Sequence, residues 1–129
     1  MIVVDASIVL KIFMDDLKDN EIERKLEISD GLIAPQIIDV EVINGIRKNL
    51  RLGNITQVRA AQAILDLQAF PVERMETVLL ISRIWQLRNN FTPYDASYVA
   101  LAEDYQVPFL TRDLKLAAAV KAHTKVELI

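Results

Sequence analysis

Four acidic residues have positions that suggest a shared chemical role. They fall where a short apolar run ends or a helical pattern begins, and we call them the acidic quartet: Asp5, Glu41, Asp95 and Asp113. Grouped carboxylates without basic partners repel one another, so such a group either stays partly protonated or binds a hard cation. Oxygen-only ligands favour Mg²⁺, for which Mn²⁺ can substitute. A cation held in this way can activate water against a phosphodiester.

The composition excludes several other kinds of active site. The chain has no cysteine and one histidine, His123, which excludes thiolate catalysis, thiolate zinc sites and histidine clusters. The net charge is −3, which argues against a protein that coats nucleic acid by charge alone. Without the four acids of the quartet, the chain has 14 acidic and 15 basic side chains, so the rest of the molecule is close to neutral. A divalent cation bound by the quartet would offset most of the net negative charge that argues against binding nucleic acid.

Alternating strand and helix patterns predict a layered α/β fold. Runs of strand length occur at Ile2–Val4, Leu32–Ala34, Phe70–Val72, Pro108–Leu110 and Val126–Leu128. Helical patterns occur at roughly Glu21–Ile28, Gln36–Leu50, Thr56–Leu67, Glu76–Arg88, Pro93–Tyr105 and Leu114–Ala122. Helices between strands imply parallel crossovers. No repeat or linker interrupts the pattern, so we expect one domain over residues 1–129.

The predicted elements bring the acidic quartet to one edge of the sheet. Asp5 follows the first strand and Asp113 follows the fourth, so both lie at carboxyl ends of strands, where open parallel sheets form ligand sites. Glu41 lies early in the helix after the second strand. Asp95 lies in the first turn of an apolar helix. If the first and fourth strands are neighbours, Asp5 and Asp113 face each other.

Each acid also has a purely structural interpretation. Asp95 could only complete a helix cap begun by Thr92, and Asp113 could only cap the helix from Leu114. Asp5 could bond nearby backbone groups. Glu41 is the hardest to explain in this way, because no basic residue lies three or four positions away on its helix. One shared site accounts for all four acids more economically.

The chain resembles VapC-type PIN domains over nearly its whole length. The segments that carry the resemblance are Val3-Val4-Asp5-Ala6-Ser7, Glu41-Val42-Ile43-Asn44, the run from Thr92 to Ala102, and Leu110-Thr111-Arg112-Asp113. They match the motifs of that family in order and spacing. The run Tyr-Asp-Ala-Ser-Tyr-Val-Ala-Leu-Ala inside the third segment and the opening Val-Asp-Ala-Ser are the most specific of them.

The resemblance implies a fold, an activity and a set of partners. The fold is a three-layer α/β/α sandwich around a parallel sheet ordered 3-2-1-4-5. The activity is that of a Mg²⁺-dependent endoribonuclease, the toxin of a toxin–antitoxin pair, which forms a homodimer and is silenced by a VapB-like antitoxin. By matching position, the acidic quartet becomes the metal-binding and catalytic set. Ser7 and Thr111 support it, and Asn44 orients Glu41.

Other residues suggest surfaces for partners. Arg47, Lys48 and Arg51 follow Glu41 on its helix, and Arg112 and Lys115 flank Asp113. They are candidate contacts to RNA phosphates, with a merely solvated surface as the alternative. The apolar residues of the Glu76–Arg88 helix wrap more than one face, which indicates a partner surface or a helix well covered by its own domain. With neither a signal-peptide pattern nor the roughly 20 apolar residues of a membrane span, we expect a soluble cytoplasmic protein.

Three rival functions remain open from the sequence. A receiver-like signalling module shares the layered fold and an acidic Mg²⁺ site, but that family needs adjacent acids after the first strand and an Asp after the third. Here Phe70-Pro71-Val72 leads to Glu73. A non-catalytic PIN binding module would be favoured by a missing acid, and all four are present. A PIN nuclease of RNA maturation or DNA repair is the third rival.

Overall fold

The protein is described by a computed structural model over residues 1–14 and 20–129. At its centre is a parallel sheet of four strands in the order β3-β2-β1-β4. The strands are β1 (Ile2–Val4), β2 (Leu32–Pro35), β3 (Val72–Met75) and β4 (Phe109–Leu110). The predicted neighbours β1 and β4 are adjacent, and Val4 pairs with Leu110. Asp5 and the segment leading to Asp113 therefore leave the sheet side by side.

Helices flank this sheet, which confirms the predicted α/β/α layering. They are α1 (Ala6–Met14), α2 (Asn20–Glu27), α3 (Ile37–Arg51), α4 (Gln57–Ala69), α5 (Ile81–Gln86), α6 (Pro93–Tyr105) and α7 (Leu114–His123). Helices α1, α3 and α4 pack together, while α6 packs on β1, β2 and β4 with α5 beside it. Helix α6 is the most deeply placed, because every residue from Ala96 to Ala102 is buried.

The predicted fifth strand, Val126–Leu128, is wrong. Over the described residues the sheet has four strands, and this segment forms only an isolated bridge between Leu128 and Phe109. The amide of Phe109 donates to Glu127 (2.8 Å), and the amide of Ile129 donates to Phe109 (3.2 Å). Because β4 is only two residues long, its outer edge offers too few backbone groups for a further full strand.

Most predicted elements differ from the observed ones by one or two residues at an end, and two differ by more. The strand predicted at Phe70–Val72 runs instead from Val72 to Met75, after Pro71, which has no amide to donate to a neighbouring strand. The helix predicted at Glu76–Arg88 is shorter than expected at both ends. It consists of a 3₁₀ turn, Val78–Leu80, that leads directly into α5.

Helices α1 and α3 approach closely at Gly45, and this contact helps to position the acidic quartet. A Cβ atom on Gly45 would lie 2.4 Å from a terminal carbon of Leu10. The glycine therefore gives the Leu10 side chain room against α3. Since Asp5 immediately precedes α1 and Glu41 lies in α3, this packing brings the two acids toward each other.

None of the helices in the described ranges is long and apolar enough to cross a membrane.

Candidate functional site

Asp5 is the most buried member of the acidic quartet, with only 5% of its surface exposed. Its Oδ1 accepts hydrogen bonds from the amides of Ser7 (3.0 Å) and Ile8 (3.3 Å) and from the Ser7 hydroxyl (2.5 Å). These two amides belong to the first turn of α1, so Asp5 caps that helix. Its Oδ2 accepts a hydrogen bond from the Thr111 hydroxyl. The carboxylate is therefore held in one orientation from both sides.

Ser7 and Thr111 connect Asp5 to the loop between β4 and α7. The Ser7 hydroxyl accepts from the amide of Arg112 (2.9 Å), and the Thr111 hydroxyl accepts from the amide of Asp113 (3.0 Å). Each hydroxyl thus accepts from this loop and donates to Asp5. Although Thr111 lies 106 positions from Asp5, the two meet because β1 and β4 are neighbours. The structure places both predicted supporting residues against Asp5.

Asp113 caps α7, as its structural interpretation predicted. Its Oδ1 accepts from the amides of Lys115 (3.0 Å) and Leu116 (3.1 Å). The same oxygen makes both contacts, so Oδ2 accepts no hydrogen bond from the described residues. The residue is exposed at the edge of the sheet. Capping therefore leaves one carboxylate oxygen of Asp113 available to a ligand.

Asp95 lies in the first turn of α6, where Thr92 caps the helix. The Thr92 side chain accepts from the amide of Asp95 at 3.1 Å, and Pro93 occupies the first helical position. The carboxylate of Asp95 is half-buried at the positive end of the helix. Burial raises the pKa of this carboxylate and a hydrogen bond with the Thr92 side chain opposes that rise, so Asp95 takes part in the start of the helix as its structural interpretation predicted.

Glu41 has a partner that the sequence did not reveal. The hydroxyl of Tyr98, on α6, donates to Glu41 Oε1 at 2.6 Å. Tyr98 is almost wholly buried and stacks on Phe109. One signal was available in the sequence, because a tyrosine in so apolar a helix needs a partner for its hydroxyl. The spacing of residues along the sequence does not identify that partner.

The charges of the acidic quartet interact with one another. Burial raises the pKa of Asp5, and hydrogen bonds from Ser7 and Thr111 oppose that rise. Burial also raises the pKa of Glu41, opposed by Tyr98, and repulsion from Asp95 and Asp5 adds to the rise. The pKa of Asp95 is raised by burial and then by Asp113 and Asp5. All four carboxylates are thus within electrostatic reach of at least one other member.

The remaining predicted site residues lie around the quartet on the surface. Asn44 is exposed, and no hydrogen bond joins it to Glu41 in the part of the chain that the structure describes. The three-residue spacing places Asn44 one turn further along α3, where its side chain meets solvent. Arg47, Arg112 and Lys115 are exposed, as are Lys48 and Arg51. Their side chains are accessible to an anionic ligand.

The donor set suits a hard divalent cation, although it is not a closed cage. Across residues 1–14 and 20–129, no three acidic or histidine side chains are grouped as a ready-made metal-binding set. Mg²⁺ does not require such a set, because it keeps several waters and uses one or two carboxylates together with substrate phosphates. The mutual repulsion of the acids and their available oxygens fit that mode of binding.

Comparisons with known proteins agree on one family. Residues 2–122 match the PIN domain. Ribonuclease VapC9 of Mycobacterium tuberculosis is 33% identical over 129 residues, which is all of this chain and 98% of that protein. The crystal structure of PAE2754 from Pyrobaculum aerophilum superposes with a TM-score of 0.71 at 23% identity, over 98% of this chain and 81% of that one. A toxin–antitoxin complex from Klebsiella pneumoniae superposes with a TM-score of 0.64 at 20% identity, covering 92% and 91%.

The raised pKa values predict that the metal-free protein gains stability as the pH falls from neutral. Asp5, Glu41 and Asp95 bind protons more tightly in the folded than in the unfolded chain. Their stabilising effect is therefore complete below the unfolded pKa values and is lost as the pH rises through the folded ones. Melting temperatures in a chelating buffer, from about pH 7 down to about pH 5, measure this effect.

Glu41→Gln is the control for this pH dependence. Glutamine keeps an oxygen that can accept from Tyr98 but removes one repelling charge. We expect the variant to melt higher than the natural chain at neutral pH and to lose that advantage as the pH falls. Equal pH dependence of the two proteins would contradict the mutual repulsion.

Proposed function

The chain belongs to the PIN-domain family, and from that membership we propose that it is a Mg²⁺-dependent endoribonuclease that acts as the toxin of a toxin–antitoxin pair. The observation that carries this proposal is the acidic quartet. Its carboxylates repel one another and form no ion pair with a Lys or Arg among the described residues. Such a site is suited to a cation rather than to a cationic side chain.

The residues of the quartet have different parts in the proposed reaction. Asp5 and Glu41 would hold Mg²⁺, Asp5 through the acceptor capacity left on Oδ2 and Glu41 through Oε2. When bound, the cation polarises the scissile phosphate and lowers the pKa of the attacking water. Asp95 and Asp113 extend the negative charge toward the exposed edge of the site. There they orient water and can take up its proton.

RNA is the proposed substrate, and the exposed basic residues are its proposed phosphate contacts. Arg47 lies on the same helix as Glu41, and Arg112 and Lys115 lie on either side of Asp113. Such contacts would fix where the RNA backbone lies without reading its sequence. The name of the VapC9 relative, a ribonuclease, supports the choice of RNA over DNA.

Asp5→Asn tests the metal-dependent reaction. Cleavage of RNA in Mg²⁺ should fall by more than about 100-fold, because even outer-shell changes at metal sites cost 10 to 100-fold. Millimolar Mg²⁺ should raise the melting temperature of the natural chain by ligand linkage, and raise that of the variant much less. Gel assays of RNA cleavage and thermal melting provide the two measurements.

Asp104→Asn is the matched control. Asp104 is an exposed acid near the far end of α6, so its loss should leave both cleavage and the effect of Mg²⁺ unchanged. Metal-dependent cleavage that survives in Asp5→Asn would remove Asp5 from the mechanism. A natural chain that cleaves equally well in chelator would rule out the metal.

A VapB-like antitoxin is the proposed partner that silences the enzyme in the cytoplasm. The match to VapC proteins and the similarity of fold to a chain of a toxin–antitoxin complex support this pairing. Blocking the acidic quartet, or the exposed residues around it, would be sufficient to stop access of RNA.

Expression in a bacterial host tests the toxin role. Production of the natural chain should stop growth, and production of Asp5→Asn at the same level should not. Co-expression of the small protein encoded next to the gene should restore growth. Normal growth with active enzyme would exclude the toxin and favour a nuclease of RNA maturation or DNA repair.

A homodimer is the proposed assembly, and the surface around α5 is its proposed interface. Four large apolar side chains are exposed there: Val78, Leu79, Ile81 and Trp85. A groove of about 400 Å³ between α5 and α6 continues this surface. The rest of the domain leaves these side chains of the predicted Glu76–Arg88 helix uncovered, which supports a partner surface over a helix covered by its own domain. Contiguous apolar surface of this kind is typical of an interface.

Leu79→Glu should convert the dimer to a monomer. Leu79 is 87% exposed, so the change should not disturb the fold, but a buried carboxylate would be costly in an apolar interface. Sedimentation velocity measures the mass. Val58→Glu, at an 81% exposed position on α4, is the control and should leave the dimer intact. A natural chain that sediments as a monomer would contradict this assembly.

A further inference from the structure

Tyr98 is a buried polar residue with no role of its own in the proposed reaction. It is 1% exposed, and its ring stacks on that of Phe109 with centroids 6.0 Å apart and an angle of 8° between the planes. The stacking and burial would be equally available to phenylalanine. The hydroxyl must therefore be explained by its own contacts, because burying an unneeded hydroxyl costs free energy.

The direction of the hydrogen bond from Tyr98 follows from the chemistry of its partner. An ionised carboxylate can only accept, so the single proton of the Tyr98 hydroxyl points to Glu41 Oε1 at 2.6 Å. Tyr98 thus links α6 to a glutamate on α3 that lies 57 positions away in sequence.

We infer that Tyr98 is a positioning residue for the cation site, which holds Glu41 in place beside Asp5 by occupying Oε1 and leaving Oε2 for the metal. This inference rests on the proposed function only in taking Glu41 as a ligand of the cation. Oε2 accepts no hydrogen bond from the described residues. A glutamate has several rotatable bonds, and a ligand that is already ordered loses less entropy when the metal binds.

Tyr98→Phe tests this inference by metal binding alone, without RNA. The variant keeps the ring and its stacking but loses the donor to Glu41. We expect its affinity for Mn²⁺, measured by the electron paramagnetic resonance signal of the free ion, to fall by about 10 to 100-fold, as for other outer-shell changes. Tyr105→Phe is the matched control, because Tyr105 is an exposed residue at the end of α6, and it should bind Mn²⁺ like the natural chain.

A double-mutant cycle with Glu41→Gln separates positioning from a general structural effect. If Tyr98 acts through Glu41, the Tyr98→Phe change should have little further effect on Mn²⁺ affinity once Glu41 is replaced. Full additivity of the two changes would overturn the inference, and so would unchanged affinity in Tyr98→Phe. A natural chain that binds no Mn²⁺ would instead overturn the metal site itself, and with it this role of Tyr98.

A spectroscopic measurement covers the case in which Tyr98→Phe does not fold. The Tyr94→Phe/Tyr105→Phe variant keeps Tyr98 as the single tyrosine of the chain. Adding Mn²⁺ should then change the near-ultraviolet tyrosine absorbance, because the cation draws electron density from the carboxylate that accepts the Tyr98 proton. A tyrosine spectrum that stays constant while Mn²⁺ binds would contradict the inference.

Discussion

Repulsion among the carboxylates of the acidic quartet is the constraint to which the surrounding structure responds. Burial disfavours ionisation of Asp5, Glu41 and Asp95, and like charge adds to that cost at Glu41 and Asp95. Among the described residues, the protein offsets this cost with hydrogen bonds from hydroxyls and amides, and not with ion pairs. Neutral donors stabilise a carboxylate without cancelling its charge. The site therefore keeps the negative potential that a divalent cation requires.

The parts of the site that follow from local sequence could be predicted, and those that depend on distant contacts could not. Asp5 and Asp113 could be placed together because each follows a strand, and parallel strands end at one edge of the sheet. The contact between Tyr98 and Glu41 joins two helices 57 positions apart, and no spacing rule reaches that far. Thr111 and Ser7 were found only through the family resemblance, since a hydroxyl has no periodicity that marks its partner.

The predicted and observed secondary structures differ where contacts with the rest of the chain decide the conformation of a short apolar segment. Helix α1 was not predicted, because Ala6–Met14 is mostly apolar and rich in β-branched residues, a composition that suits a buried strand as well as a helix. The fifth strand was predicted from the β-branched residue and length of Val126–Leu128. Strand formation also needs a neighbour long enough to pair with, and β4 has only two residues. The length of that neighbouring strand cannot be seen within Val126–Leu128 itself.

The two interpretations of the acids, as helix caps and as members of one proposed cation site, are complementary. Asp5 and Asp113 each precede a helix and accept its first amides, and Asp95 lies in the first turn of α6. The positive ends of helices favour the ionised carboxylate, which is the form that binds a cation. Glu41 is different, because it lies beyond the first turn of α3 and has no such amide. The Tyr98 hydroxyl donates to it instead, so Tyr98 supplies for Glu41 the hydrogen bond that the first helix amides supply for Asp5 and Asp113.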